Sequence, residues 1–230
     1  MNLASAASVK SMSIGVGIAT GLYGISFGAL SVASGFDLLQ TQLLSLLMFS
    51  GGSQFAFIGV FATGGMSAIG TAVASAWLLG IRNGFYAVRM APVLDVAKGW
   101  RLVAAQLTID ESTGVSTAQS ELPEQRSGFW ITGISVFVFW NLATLLGALV
   151  GASLGDPKVL GLDAAAAAAF LGLLWPRLSQ SQSLVVAVGS MIVACALTPW
   201  LPPGMPILLA GVVAVVVGAF NIFKPKEVAA

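Results

Sequence analysis

The chain has 230 residues, 57% hydrophobic and only 8% charged, with a formal net charge of +1 and a mean hydropathy of +0.93. A soluble domain carries charge on roughly a quarter of its residues, so this composition excludes a water-exposed surface, and ten scattered Lys and Arg offer no basic patch for nucleic acid. A single cysteine, Cys195, and the absence of His exclude a disulfide pair, a thiolate zinc cluster and a histidine relay; no metal, cofactor or catalytic residue is expected.

A spanning helix takes about 20 apolar residues, so a chain of this length with short loops crosses a bilayer roughly seven times. The expected fold is therefore an all-α integral membrane protein, a polytopic bundle of about seven transmembrane helices forming one transmembrane domain over residues 1–230. Residues 1–13 carry one Lys and do not read as a cleaved signal peptide. Residues 14–34 are the first predicted span, and Gly15, Gly17, Gly21, Gly24 and Gly28 within it suit close helix packing. Residues 38–63 are the second, interrupted by Ser50-Gly51-Gly52-Ser53-Gln54, and residues 66–94 the third, holding Arg82 and Arg89. A more polar stretch, 95–127, precedes four further apolar segments at 128–153, 160–178, 183–200 and 206–223.

Residues 100–118 admit two readings: an amphipathic or re-entrant helix, or an eighth crossing. At helical spacing Trp100, Val103, Ala104, Leu107, Gly114, Val115 and Ala118 make one apolar face with Glu111 in its middle and Asp110 at its edge. The opposite face, with Arg101, Ser112, Ser116 and Gln119, is too polar for lipid and should pack on protein. Positive charge favours cytoplasmic loops. Seven crossings with Lys98, Arg101, Arg126, Arg177, Lys224 and Lys226 inside leave Lys10 and Lys158 outside; eight crossings reverse the N-terminus. A cytoplasmic C-terminus survives both counts. A faint likeness in Gly spacing between the first span and residues 128–178 would fit an inverted repeat.

Four features depart from a plain hydrophobic bundle. In Phe49-Ser50-Gly51-Gly52-Ser53-Gln54-Phe55 the glycines weaken the helix and free backbone amides, which at a half-helix N-terminus can receive a substrate carboxylate. The competing reading is a tight helix crossing with Ser and Gln bonded to neighbours. Arg82 lies near the centre of the third span, where a charge needs a partner, and it shares a face with Tyr86 and Arg89; Arg89 can snorkel. Asp110-Glu111 are adjacent acids that must pair or hold a proton when desolvated: a fastening ion pair with Arg82, a proton site, or a partner for a substrate ammonium group. Arg82 and Glu111 are expected to face each other or a shared polar cavity. Trp140-Asn141 fit helix packing or a binding wall.

These residues resemble the AzlC family, the larger subunit of branched-chain amino acid exporters. The resemblance runs through Gly24-Ile25-Ser26-Phe27-Gly28, Phe49 to Gln54, Ile81-Arg82-Asn83-Gly84-Phe85-Tyr86 with Pro92 after it, Ile109-Asp110-Glu111, Trp140-Asn141, Gly161-Leu162-Asp163 and Phe170-Leu171-Gly172-Leu173-Leu174. It covers nearly the whole chain in order. The chain departs at Gly80 and Asn83, where relatives often carry Asn and His around the Arg. The resemblance implies export of branched-chain amino acids, and in some members methionine, across a bacterial inner membrane, drawing on the proton motive force, with a small hydrophobic AzlD-type subunit as partner and membrane lipid around both.

The expected substrate site comprises Ser50, Gly51, Gly52, Ser53, Gln54, Arg82, Tyr86, Trp140 and Asn141, with Asp110 and Glu111 as proton-coupling or ion-pair groups. The half-helix amides would hold the carboxylate, and Phe49, Phe55 and Trp140 the side chain. The rival is a non-transporting scaffold or partner subunit whose buried charges only fix assembly. A lipid-acting enzyme is more distant, since no nucleophile with a nearby base is visible.

Overall fold

In the computed structural model residues 3–153, 171, 175–202 and 204–223 are described. Among them the helices are α1 (Leu3–Ala33), α2 (Leu38–Leu47), α3 (Gly51–Gly64), α4 (Ile69–Leu94), α5 (Arg101–Gln106), α6 (Asp110–Thr117), α7 (Leu122–Ser153), α8 (Ser181–Leu197) and α9 (Met205–Ala219), with no strand. Three runs are long and apolar enough to cross a membrane, Ala7–Ala33, Gly51–Leu94 and Leu122–Ser153, and α8 and α9 are shorter apolar helices. Most of the predicted 160–178 span, including Gly161-Leu162-Asp163, the Ala164 to Ala169 run, Phe170 and residues 172–174, lies outside the described residues, as do Lys158, Lys224 and Lys226.

The frame is the pair α1 and α7, packed so closely that side chains have no room between them. A Cβ on Gly17 would meet Ser135, on Gly21 Phe139, on Gly24 Ala143, and on Gly28 the backbone of Thr144 and Ala148; from the other side Gly147 abuts Ile25 and Gly151 abuts Ala29. Small residues are what let two backbones approach in this way. Both partner numbers rise together, so α1 and α7 run parallel. An inverted repeat that pairs α1 with α7 is therefore ruled out, because such partners run in opposite directions across the membrane.

Residues 38–63 are not one crossing. α2 has ten residues and α3 fourteen, about 15 and 21 Å, against a hydrocarbon core of about 30 Å. Between them Met48 and Ser50 leave helical geometry (φ −93°, ψ 65° and φ −156°, ψ 100°). The chain doubles back: Phe36, just before α2, packs on Phe57 and Phe61 of α3 at ring-centroid distances of 5.9 and 4.7 Å. The break thus makes a re-entrant hairpin, and it falls just ahead of the two glycines, which open α3. Exposed α2 carbonyls are recovered by side-chain amides. Gln54 Nε2 donates to Met48 O at 2.7 Å and lies within bonding reach of Ser45 O and Leu44 O, while Gln106 Nε2 donates to Leu46 O at 2.9 Å. Unmet carbonyls are costly in lipid.

Residues 100–118 form a second hairpin rather than one helix, which removes the eighth crossing and keeps the re-entrant alternative. α5 and α6, six and eight residues long, separate at Leu107-Thr108-Ile109. Local side chains close that break: Thr108 Oγ1 donates to Ala104 O, and Ser112 Oγ donates to Leu107 O and accepts from Ile109 N. Trp100 meets Trp130, Leu107 lies against Gly133, and Val115 against Gly128. Both outer ends of the hairpin therefore lie by the start of α7. The two faces drawn for a single helix do not survive the break: Ser112 and Ser116 of the polar face are fully buried but Arg101 is exposed, and Ala104, Leu107 and Val115 of the apolar face are buried while Trp100 and Val103 are exposed.

The two hairpins enter from opposite ends of the bundle, one beside the C-terminus of α1, the other beside the N-terminus of α7. Because α1 and α7 are parallel, Lys10 lies at the same end as Arg126, which bonds Val93 O at 2.8 Å, and as Lys98 and Arg101 between α4 and α6. This corrects the seven-crossing arrangement that set Lys10 apart from these charges; counting 38–63 as a crossing reverses every later parity. Residues 34–68, at and behind the opposite end, contain Asp37 and no Lys or Arg. α8 and α9 pair through Gly189 against Val213 and Ser190 Oγ to Ala210 O, and Gly204, at the head of α9, sits on Val60 and Thr71 near that opposite end.

Candidate functional site

The tips of the two hairpins meet. Around their junction is a cavity of about 340 Å³ lined by Phe49, Ser50, Gly51, Gly52 and Phe55 from the first hairpin, Ile109, Asp110 and Glu111 from the second, Leu79, Arg82 and Asn83 from α4, Thr20 and Tyr23 from α1, and Val136 and Trp140 from α7. That volume lies in the range of small-molecule pockets, which are mostly apolar with a few convergent polar groups.

Two helix N-termini point here. α3 begins at Gly51 after Ser50, whose side chain makes no capping bond; its hydroxyl instead accepts from Ser53 Oγ at 3.2 Å. The first-turn amides of α3 carry the positive end of that helix. Gly51 has Trp140 against it, since a Cβ would stand 2.9 Å from the Trp140 ring, and Gly52 has Arg82, whose Nη2 would be 3.1 Å from a Cβ. α6 begins with Asp110 and Glu111 in its first turn, where acidic side chains are favoured. Arg82 Nη2 and Asp110 Oδ2 form an ion pair at 2.8 Å. The bridge closes on Asp110, while Glu111, the partner drawn from the sequence for Arg82, lines the same cavity.

Four of the lining side chains each hold a buried polar atom with no hydrogen-bond partner among the described residues: Arg82 Nε, Trp140 Nε1, Asn83 Oδ1 and Asp110 Oδ1. Two are donors and two are acceptors. Unsatisfied buried polar atoms are costly; among the described residues the others are single atoms of Ser13, Gln42, Gln54, Ser75, Thr113 and Thr132, none of which lines the cavity. Trp140 is only 4% exposed; its ring stacks on Phe27 at 6.2 Å and meets Phe55 edge-on at 6.3 Å.

Of the residues expected at the site, Ser50, Gly51, Gly52, Arg82, Trp140, Asp110 and Glu111 line the cavity. Ser53, Gln54, Tyr86 and Asn141 are not among the lining residues. Gln54 is fully buried and caps α2, and Asn141 donates to Phe137 O at 2.7 Å and lies within 3.4 Å of Gln42 Nε2. Both follow the helix-packing reading. Thr20, Tyr23, Leu79, Asn83, Ile109 and Val136 were not expected in the lining; Asn83 beside Arg82 and Ile109 beside Asp110 could have been found by adjacency. No cluster of three or more metal-ligating side chains occurs among the described residues.

Residues 15–154, more than half of the chain, match the sequence model of the family described as AzlC protein. No curated protein and no solved structure matches the chain.

Proposed function

The chain belongs to the AzlC family, a family associated with branched-chain amino acid transport, and we propose that this member binds a branched-chain amino acid, in zwitterionic form, in the cavity between the hairpin tips and exports it. One observation carries the reading: four side chains that each keep an unpaired buried polar atom, two donors and two acceptors, line one largely apolar cavity. A carboxylate would accept from the first-turn amides of α3, Arg82 and Trp140 Nε1. The ammonium group would donate to Asp110, Asn83 and Glu111. The aliphatic side chain would rest on Phe49, Phe55, Leu79 and Val136, where burying a leucine-sized group contributes about 1.5–3 kcal/mol.

A site approached by re-entrant tips from both ends of the bundle suits alternating access, because either hairpin can shift while the other holds its place. The end carrying Lys10, Lys98, Arg101 and Arg126 is the cytoplasmic end by the distribution of positive charge. The N-terminus then lies in the cytoplasm. α9 starts at the other end and returns the C-terminus to the cytoplasm too. The membrane is the bacterial inner membrane, Glu111 is the proton-coupling group, and the partner is a small hydrophobic subunit of the AzlD type. Counterflow of labelled leucine in proteoliposomes, with and without the co-purified small subunit, tests the reading. Saturable leucine exchange supports it; a folded complex that exchanges none supports the scaffold reading instead.

A further inference from the structure

Arg82 and Asp110 are joined through Nη2 and Oδ2, leaving Arg82 Nε and Asp110 Oδ1 unbonded. A guanidinium and a carboxylate that serve only as a fastening commonly meet through two parallel bonds. The surroundings of the two groups also differ. Asp110 sits in the first turn of α6, which favours its charge with or without Arg82. Arg82 lies over Gly52 in the first turn of α3, where the helix end is itself positive. An anion delivered to that place would satisfy both the guanidinium and the amides. Beside the pair, Asn83 Oδ1 is a second unbonded acceptor.

Resting on the amino-acid-binding reading above, we propose that Arg82 and Asp110 exchange partners on binding. They pair with each other in the empty cavity; when an amino acid enters, Arg82 turns to its carboxylate, and Asp110, with Asn83, takes its ammonium group. The charge of the filled cavity then equals that of the empty one. A ligand with only one charged group breaks the pair and leaves one of two partly exposed side chains without its opposite charge. The site therefore demands both groups together, which is how a polar pocket rejects near-isosteres. A static pair makes no such demand.

The test is competition against labelled leucine on the full-length protein in lipid nanodiscs, using leucine, 4-methyl-2-oxopentanoate, which lacks the ammonium group, and isopentylamine, which lacks the carboxylate. On the wild type, each one-charge analogue competes at least 100-fold more weakly than leucine. In Asp110→Asn, leucine weakens at least tenfold while the oxo acid strengthens, because Arg82 has lost its resident anion, and the preference for leucine falls at least tenfold. A folded Asp110→Asn with unchanged preference overturns the exchange. Should that variant not fold, the wild-type series decides: either analogue competing within 100-fold of leucine overturns it. No saturable leucine binding by the wild type overturns the substrate reading and the exchange together, whereas normal binding with a flat analogue series overturns the exchange alone.

Discussion

Gly52 separates the stability of the first hairpin from its role as a binding surface. It lies in the first turn of α3, and a Cβ there would stand 3.1 Å from Arg82 Nη2 and 3.8 Å from Arg82 Cζ. In Gly52→Ala the contact is with the far end of a flexible side chain, which can yield by a few tenths of an ångström, and Ala favours helix over Gly by about 1 kcal/mol. The Ala variant should therefore melt no lower than wild type and lose only about threefold in apparent leucine affinity, or roughly 0.7 kcal/mol. Gly52→Leu sends a branched chain across the α3 amides and displaces the guanidinium. Loss of two hydrogen bonds to a charged ligand, at about 1.5–3 kcal/mol each, is a fall of at least about 100-fold, enough to abolish counterflow at micromolar leucine. Melting in detergent and leucine counterflow in proteoliposomes read the two effects separately. A folded Gly52→Leu protein exchanging leucine at the wild-type rate would refute the placement of the carboxylate on α3.

Gln54→Leu removes the amide that caps the carbonyl end of α2, so it should lower stability by about 2–3 kcal/mol, seen as a lower melting temperature with transport reduced in step with folded protein. Gly28→Leu would drive a side chain into the backbone of Thr144 and Ala148 and should leave little folded protein on size exclusion. Gly15→Ala, which meets nothing within 4 Å and lies inside α1, should leave transport unchanged and raise stability by up to about 1 kcal/mol. Single cysteines introduced in a Cys195→Ser background should react with a membrane-impermeant thiol reagent from the cytoplasmic side at Lys98 and from the external side at Met66, and the reverse pattern would invert the orientation.

The sequence made a break in this run legible, because Gly51-Gly52 between Ser50 and Ser53 weakens a helix, although the break falls just ahead of the glycines, at Met48 to Ser50. It did not make the reversal legible. Residues 38–63 read as one continuous apolar run, and their return is set by Phe36 meeting Phe57 and Phe61, contacts between residues about 20 positions apart. That one missed reversal moved Lys10 to the wrong end. Which acid pairs with Arg82 depends on about 100° of rotation at the first turn of α6, which two adjacent acids do not reveal. Gln54 looked like a binding group, yet an amide serves whichever carbonyls are unmet nearby, and α2 ends beside it. The glycine stripe of α1, by contrast, needed no tertiary knowledge: the spacing of Gly17, Gly21, Gly24 and Gly28 already described one flat face, and α7 fills it, while Gly15 lies off that face in open space.

The central claim is that the two hairpin tips together enclose the amino acid, and substrate protection of single cysteines tests it most directly. Ser50→Cys at one tip and Ile109→Cys at the other both line the cavity; Leu102→Cys, on a residue 82% exposed, lies outside it and serves as the reference. Each is made in the Cys195→Ser background and labelled with a small thiol reagent over a range of leucine concentrations. Leucine should slow labelling at both tips with one common half-maximal concentration and leave the reference unchanged. Protection at neither tip, in protein that still exchanges leucine, would place the substrate elsewhere and contradict the account.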